Sequence, residues 1–181
     1  LVSLSEIGSL EADPRNDLAR VLKRNRVLNF VGEITVAAPR EAVFKALSDA
    51  PFFASCIEGV RDLTAIDATH YDAVLETRIA YMRLNFKVGV QLSRVTPSEE
   101  IEAKVEGTPI GMVGRLTATA TTRLADADGG TVIRYSVDAT LTGKLGSMGQ
   151  PVLKAKAKEM EKQFSARLAA AFAGEQPGSP P

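Results

Sequence analysis

Tryptophan is absent from this chain of 181 residues, cysteine and histidine occur once each, and aromatic residues make up only 6%. A single cysteine, Cys56, excludes an internal disulfide framework and weakly favours a cytosolic setting. A lone histidine, His70, leaves no His/Cys/Asp cluster at metal-ligand spacing, so no metal site is expected. Charge of neither sign is in excess, since 22 Lys+Arg face 22 Asp+Glu. Without a global basic field, nucleic acid is not an expected partner. No apolar run reaches the roughly 18 residues that a spanning helix needs, and Leu1 to Leu10 lacks a basic segment leading into an apolar one, so the sequence reads as soluble. What is present is core material: 45% hydrophobic residues suit one domain with tails.

The zero net charge hides an asymmetry. Residues 27–143 hold 11 Lys/Arg against 15 Asp/Glu, whereas residues 144–174 hold six against two, a basic element on an acidic body. Lys154, Lys158 and Lys162 read either as a solvated helix face, partly neutralised by Glu159 and Glu161, or as a surface facing anionic lipid or an acidic partner.

Three regions follow from the patterning. Residues 1–26 form an extension, either mobile or a short amphipathic helix started by Asp13-Pro14 and carrying Leu18, Val21 and Leu22 at helical spacing. Residues 27–174 form the domain, and residues 175–181 form a Pro/Gly-rich tail. In the domain, Phe30, Ile34 and Val36 alternate with polar neighbours as a half-buried strand. A short helix from Pro39 with Val43, Phe44 and Leu47 on one face comes next, then a second from about Pro51, closed by Gly59.

Six further strands follow. Val60 to Ile66 is one. Tyr71, Leu75, Thr77, Ile79 and Tyr81 share a face in the next, and Phe86, Val88 and Val90 in the one after, which Pro97 stops. Ile101, Ala103 and Val105 oppose Glu100, Glu102 and Lys104. Leu116, Ala118, Ala120, Thr122 and Leu124 oppose Arg115, Thr117 and Thr119. A turn at Asp128-Gly129-Gly130 leads to Ile133, Tyr135, Val137, Ala139 and Leu141. One apolar and one polar face throughout, with hairpin-length links, make a single antiparallel sheet wetted on one side. Its cover is Lys144 to Gly174, where Leu153, Ala157, Met160, Phe164, Leu168 and Phe172 form the seam of one long helix. The expected fold is α+β: a curved antiparallel sheet of about seven strands wrapped around a long C-terminal helix, with two short helices after the first strand.

A sheet bent around one helix either closes into a dry core or encloses an apolar small-molecule site. The expected lining is Leu75, Ile79, Phe86, Val88, Leu116, Ala118, Val137, Met160 and Phe164, with Tyr71, Thr77, Tyr81, Thr122 and Tyr135 as sparse polar spots to orient a ligand head. Catalytic candidates are few. His70 sits in a turn, and Cys56 reads as a small buried side chain. Gly107 to Gly114 lacks the lysine of a phosphate-cradling loop and reads as a flexible lip. Three function classes stay open: a hydrophobic-ligand carrier, an assembly factor that docks a partner enzyme through its surface, and a polyketide-cyclase-like enzyme, which the lack of an inward Asp or Glu disfavours.

Several segments, taken in order, resemble the carbon monoxide dehydrogenase G-subunit family. They are Leu28-Asn29-Phe30-Val31-Gly32-Glu33 leading to Pro39-Arg40-Glu41-Ala42-Val43-Phe44, then Cys56-Ile57-Glu58-Gly59-Val60, then Gly107 to Gly114, and last Gly143-Lys144-Leu145-Gly146-Ser147-Met148-Gly149-Gln150. The likeness covers about residues 28–173 and places the chain among START-like (SRPBCC) helix-grip proteins. Two positions depart: many relatives have Pro where Glu58 stands and often a second Cys where Val60 stands, so a role resting on that cysteine has no residue to carry it. The resemblance implies a non-enzymatic accessory protein without a cofactor, working with a molybdenum-containing carbon monoxide dehydrogenase or related hydroxylase. It implies a lipid or isoprenoid quinone as ligand and a cytoplasmic location with peripheral contact to the inner face of the cell membrane. Some relatives continue through a Pro-rich linker to a membrane anchor, which the tail resembles.

Overall fold

A computed structural model describes residues 26–173, so the extension before Arg26 and the Pro/Gly tail lie outside the described residues. The seven strands are β1 (Arg26–Val36), β2 (Val60–Ala65), β3 (His70–Ile79), β4 (Met82–Thr96), β5 (Glu100–Pro109), β6 (Gly114–Ala127) and β7 (Gly130–Thr142). Two short helices, α1 (Arg40–Ser48) and α2 (Ala50–Ser55), follow β1, while α3 (Gly143–Gly146) and α4 (Gln150–Ala173) follow β7. The strands form one antiparallel sheet in the order β1-β7-β6-β5-β4-β3-β2. Strands β2 to β7 are a plain meander. The step from β1 to β2 runs from one edge of the sheet to the other, and α1 and α2 make that crossing.

Side-chain alternation holds across the register. Ile34 pairs with Ile133, which pairs with Leu124, and Leu28 pairs with Ala139, which pairs with Ala118. A one-residue slip would expose this whole set, so the pattern fixes the pairing. The wet face is stitched by cross-strand ion pairs, Arg134 to Glu33 at 3.0 Å and Arg123 to Glu100 at 2.9 Å. Each is a directly opposed pair in the ladder and contributes about 0.2–1 kcal/mol.

Several local expectations are corrected. The C-terminal helix does not start at Lys144: Gly149, with φ +84, separates α3 from α4. The second short helix ends at Ser55, with Cys56 as its C-cap, and Gly59 instead opens β2 with φ +87. A Cβ on Gly59 would collide with the Glu76 carbonyl oxygen. The expected lip is mostly strand, because Gly107 and Pro109 belong to β5 and only Ile110 to Val113 remain as a turn. Pro39 is the N-cap of α1 rather than its first helical residue.

Two separate cores hold the helix to the sheet. The first gathers Leu28, Ile79, Leu84, Phe86, Ala139, Leu141, Leu145 and Leu153, and the second gathers Ile34, Val36, Val43, Leu124, Ile133, Leu168 and Phe172. The Thr131 hydroxyl, fully buried, donates to the Ala38 carbonyl at 2.7 Å and ties β7 to the start of α1. The α2 ring of Phe53 packs on Phe164 and that of Phe52 on Phe172, at centroid distances of 5.2 and 6.2 Å. Leu168→Ala, at a position with no exposed surface, is expected to lower unfolding free energy by about 3 kcal/mol in urea denaturation.

Candidate functional site: a hollow between the two cores

A seven-stranded sheet is about 29 Å across at 4.8 Å per strand, whereas one helix with its side chains is about 10–12 Å wide. Helix α4, 24 residues long, reaches about 36 Å and spans the hollow lengthwise but not in width. Its backbone runs near β1 at one edge and near β3 beside the other. The floor of the curve, β4 to β6, is therefore bridged only by side chains that reach far enough.

In the middle they do not. The inward row across the sheet is Phe30, Val137, Ala120, Ala103 and Leu92 in register. All five are only half buried, although they face the helix side. Of these, only Phe30 packs against a core, the first one. Met160, the seam residue of α4 halfway between Leu153 and Leu168, is half buried too and joins neither core. Two alanines at the centre of the row leave space where a leucine or phenylalanine would have filled it. Half-exposed apolar side chains on the inner face, between two buried clusters, mark the hollow, a stretch of the concave face that α4 leaves incompletely covered.

The expected lining residues divide into five groups. Val137, Thr122 and Met160 border this middle region directly. Leu75, Val88, Leu116 and Ala118 are half buried against the first core, while Ile79 and Phe86 are buried within it. Tyr135 and Phe164 pack against the second core and form its inner wall. Tyr71 and Thr77 share the inward phase, but the Tyr71 hydroxyl donates to the Ala68 carbonyl at 3.0 Å and is used up by the β2–β3 turn. Tyr81 is a correction: it is 90% exposed. Strand β3 ends at Ile79, and Ala80, in the left-handed region with φ 54, breaks the alternation before Tyr81 is reached.

Tyr135 is the polar group best placed at the inner wall. Its hydroxyl is enclosed and has no hydrogen-bond partner of good geometry. Burial, reinforced by the nearby Glu161 carboxylate on α4, holds its pKa above the usual phenol value. The ring fits because position 32, its register partner on β1, is glycine, and a Cβ there would collide with the Tyr135 hydroxyl. Alternation along β1 shows that Gly32 points inward, but only the register shows that it faces Tyr135. Ala103, Ala120, Gly32 and Glu161 are the residues that sequence reasoning missed, and small size at an inward position was the available signal for the first three.

Two surface concavities accompany the hollow. A saddle of about 330 Å³ on the convex face is lined by outward-phase Lys104, Glu106, Thr117, Thr119, Asp138 and Thr140. Exposed Val27 joins these side chains in the lining, and the saddle lies on the opposite side of the sheet from the hollow. The second, a cleft of about 430 Å³ between α4 and the β3–β4 turn, is lined by Arg78, Ala80, Val152, Ala155, Lys156 and Glu159. The Lys156 side chain is only 16% exposed and pairs with Glu159 at 3.3 Å.

Other candidates for chemistry are used structurally. The His70 ring is 2.8 Å from the Asp67 carboxylate. Asp67 is held down to about 2 by the backbone N–H of Thr69 and by His70, so it stays ionised and braces the turn. Cys56 is buried, and burial raises its thiol pKa against the opposing pull of Ser55 and Arg167, which disfavours the thiolate. Among the described residues no group of three or more His, Cys, Asp or Glu could hold a metal ion, and no helix is long and apolar enough to cross a membrane.

Residues 32–173 match the CoxG family model, which describes the G subunit of carbon monoxide dehydrogenase. No curated protein sequence matches the chain significantly. Among solved structures, a conserved protein from Geobacillus kaustophilus superposes with a TM-score of 0.75 at 25% identity, over 81% of this chain and 96% of that one. Ara h 8.0201 superposes at 0.60 with 17% identity, over 82% and 99% of the two chains. The Zhui aromatase/cyclase from Streptomyces sp. R1128 superposes at 0.58 with 14% identity, over 81% and 93%. The last two establish the helix-grip architecture alone.

Two substitutions distinguish the hollow from a packed core. Met160→Ala is expected to cost under about 1 kcal/mol, against the 2–5 kcal/mol usual for a fully packed Met. Tyr135→Phe, which removes an unpartnered enclosed hydroxyl, is expected to leave stability unchanged or raise it by about 1 kcal/mol. Urea denaturation of both proteins measures these values.

Proposed function

The chain belongs to the CoxG family of carbon monoxide dehydrogenase G subunits, and on that premise we propose that it is a non-enzymatic accessory protein. It binds a lipid or isoprenoid quinone in the hollow and serves a molybdenum-containing carbon monoxide dehydrogenase or a related hydroxylase. The observation that carries the ligand-binding part is the half-buried inward row Phe30, Val137, Ala120, Ala103 and Leu92 between two dry cores. An elongated apolar molecule fits such a space, and the few polar groups beside it, Thr122 and Tyr135, suit a ligand with one carbonyl or hydroxyl at its head. A neutral phenol whose pKa is raised is a hydrogen-bond donor to such a group. The family description supports the partner assignment. Quinone is the ligand that would connect an oxidising enzyme to a membrane electron carrier, and a cytoplasmic protein in peripheral contact with the membrane would have access to it.

The cyclase-like alternative rests on the same wall. Tyr135 with Glu161 is a tyrosine–carboxylate pair of the sort an enzyme would recruit. Its phenol pKa is raised, however, so near neutral pH almost none of it is the phenolate that a base or nucleophile requires. A surface-docking assembly role is the other alternative, with the exposed Lys154, Lys158 and Lys162 as its contact.

Organic extraction and mass spectrometry of the protein purified from its native host is expected to release a stoichiometric apolar molecule. Ala120→Trp, which fills the middle of the row, is expected to abolish that recovery while the far-ultraviolet circular dichroism stays native. An empty native protein, or an Ala120→Trp variant that still carries the molecule, would overturn the reading. Charge reversal at Lys154, Lys158 and Lys162 is expected to spare ligand recovery, and lost partner docking with intact recovery would transfer the partner role to that face.

A further inference from the structure

The antiparallel meander sends alternate turns to opposite ends of the sheet, and the two ends differ in charge and polarity. At one end lie the β3–β4 turn, the β5–β6 turn and the corner from β7 through α3 into α4. The three segments, residues 78–83, 110–115 and 143–154, contain Arg78, Arg83, Arg115, Lys144 and Lys154 and no Asp or Glu. At the other end, residues 66–69, 97–99 and 126–129 contain Asp67, Glu99, Asp126 and Asp128 and no Lys or Arg. The turns are thus charge-polarised along the strands, although Arg40 at the start of α1 meets Asp126 at 3.6 Å at the acidic end.

The cationic end is also the greasier one. Tyr81 is 90% exposed, Val113 81% and Ile110 54%, each at the crest of a turn. Exposed Val27 and Val152 flank them. At the acidic end the corresponding turns expose one large apolar side chain, Ile66, at 60%, flanked by Val95 at 44%. The cations are incompletely neutralised: Arg115 pairs with Glu106 at 2.8 Å and Arg83 with Glu76 at 3.8 Å. Arg78, Lys144 and Lys154 have no anionic partner among the described residues. Arg78 and Arg83 stand directly opposite each other in the β3–β4 ladder, a like-charge pairing that Glu76, 3.8 Å from Arg83, offsets in part and that an external anion would relieve further.

We propose that this end is a docking face for an anionic lipid surface. Tyr81, Ile110 and Val113 enter the headgroup boundary, and Arg78, Arg83, Lys144 and Lys154 meet the phosphates. A tyrosine crest suits the membrane interface, where one end of the ring is apolar and the other wet, and apolar crests within a cationic ring combine burial with electrostatic attraction. An acidic protein would account for the charge but not for three separate apolar crests on narrow turns. The acidic end, carrying Asp67 in its ionised form, points away from the bilayer. In this orientation the 430 Å³ cleft between α4 and the β3–β4 turn opens beside the membrane. The inference rests on the proposed function, whose peripheral membrane contact it assigns to a surface, and it gives the hollow an orientation toward the lipid.

The test is flotation of the full chain with vesicles of phosphatidylcholine alone or mixed with phosphatidylglycerol, at low and high salt. The native chain is expected to float with the anionic vesicles at low salt and to be released from them by salt. With each cation worth about a fivefold factor in partitioning, joint Arg78→Glu and Arg83→Glu substitution is expected to lower binding at least about tenfold. Joint Tyr81→Ser and Val113→Ser substitution is expected to reduce binding at every salt concentration. Ile66→Ser, which removes an exposed apolar side chain at the opposite end, is expected to change nothing. Melting temperatures verify that each variant folds, and the single Arg83→Glu and Val113→Ser variants replace any double variant that does not. A native chain that binds neither vesicle, as a surface built for an acidic protein would leave it, overturns the proposal. So do variants at the cationic end that bind like the native chain, or an Ile66→Ser variant that loses as much as they do. Fluorescence of 1-N-phenylnaphthylamine in vesicle-free buffer separates the two readings. Probe uptake without flotation refutes the docking face and keeps the hollow, whereas flotation without uptake does the reverse.

Discussion

Everything in this molecule turns on a mismatch of widths. Seven strands present one continuous apolar face, and the chain supplies a single helix to cover it. Curling brings β1 and β3 close to α4 at the edges, but curling also deepens the middle. Leucines, phenylalanines and methionines bridge the gap at both ends, where α3 and the N-terminal turns of α4 contribute at one and α1, α2 and the C-terminal turns of α4 at the other. In between, alanine stands at positions 103 and 120 and the gap persists. The same constraint that makes the fold necessary thus leaves the hollow.

The burial at the two ends is unequal in kind. The second core draws on three helices and is clamped by Arg167, which donates to the Ser55 carbonyl at 3.4 Å and approaches Glu58 at 3.9 Å. Glu58 stands where many relatives are expected to have proline, and its carboxylate here lies at the outer limit of ion-pair distance from Arg167. The first core depends on Leu145 and Leu153 on either side of Gly149, and its helical cover is interrupted at that glycine. A ligand route is better sought at the interrupted end than at the clamped one.

The period of two made the sheet legible, because it is imposed residue by residue and survives without knowledge of partners. All seven strands, their meander and the covering helix were readable from it, and the family resemblance agreed with that order. Helix limits were less legible: Gly149 stops a helix only because its backbone adopts φ +84, and in sequence it sits in a run that continues to look amphipathic. The site was legible in outline alone. Inward phase identified the pool of lining residues but could not separate Phe86, buried in a core, from Val137, which borders the gap, since that depends on what α4 places opposite each. Tyr81 keeps the phase of its strand in sequence and loses it at Ala80, where the chain turns.

Gly32 and Tyr135 come from strands more than one hundred residues apart in sequence and occupy one volume between them. Any side chain at position 32 takes the space of the ring at position 135. The two sites therefore constitute a single steric unit, and a lineage of this domain that gains a side chain at position 32 is expected to have given up the large ring at position 135, a coupled change that neither residue would reveal alone.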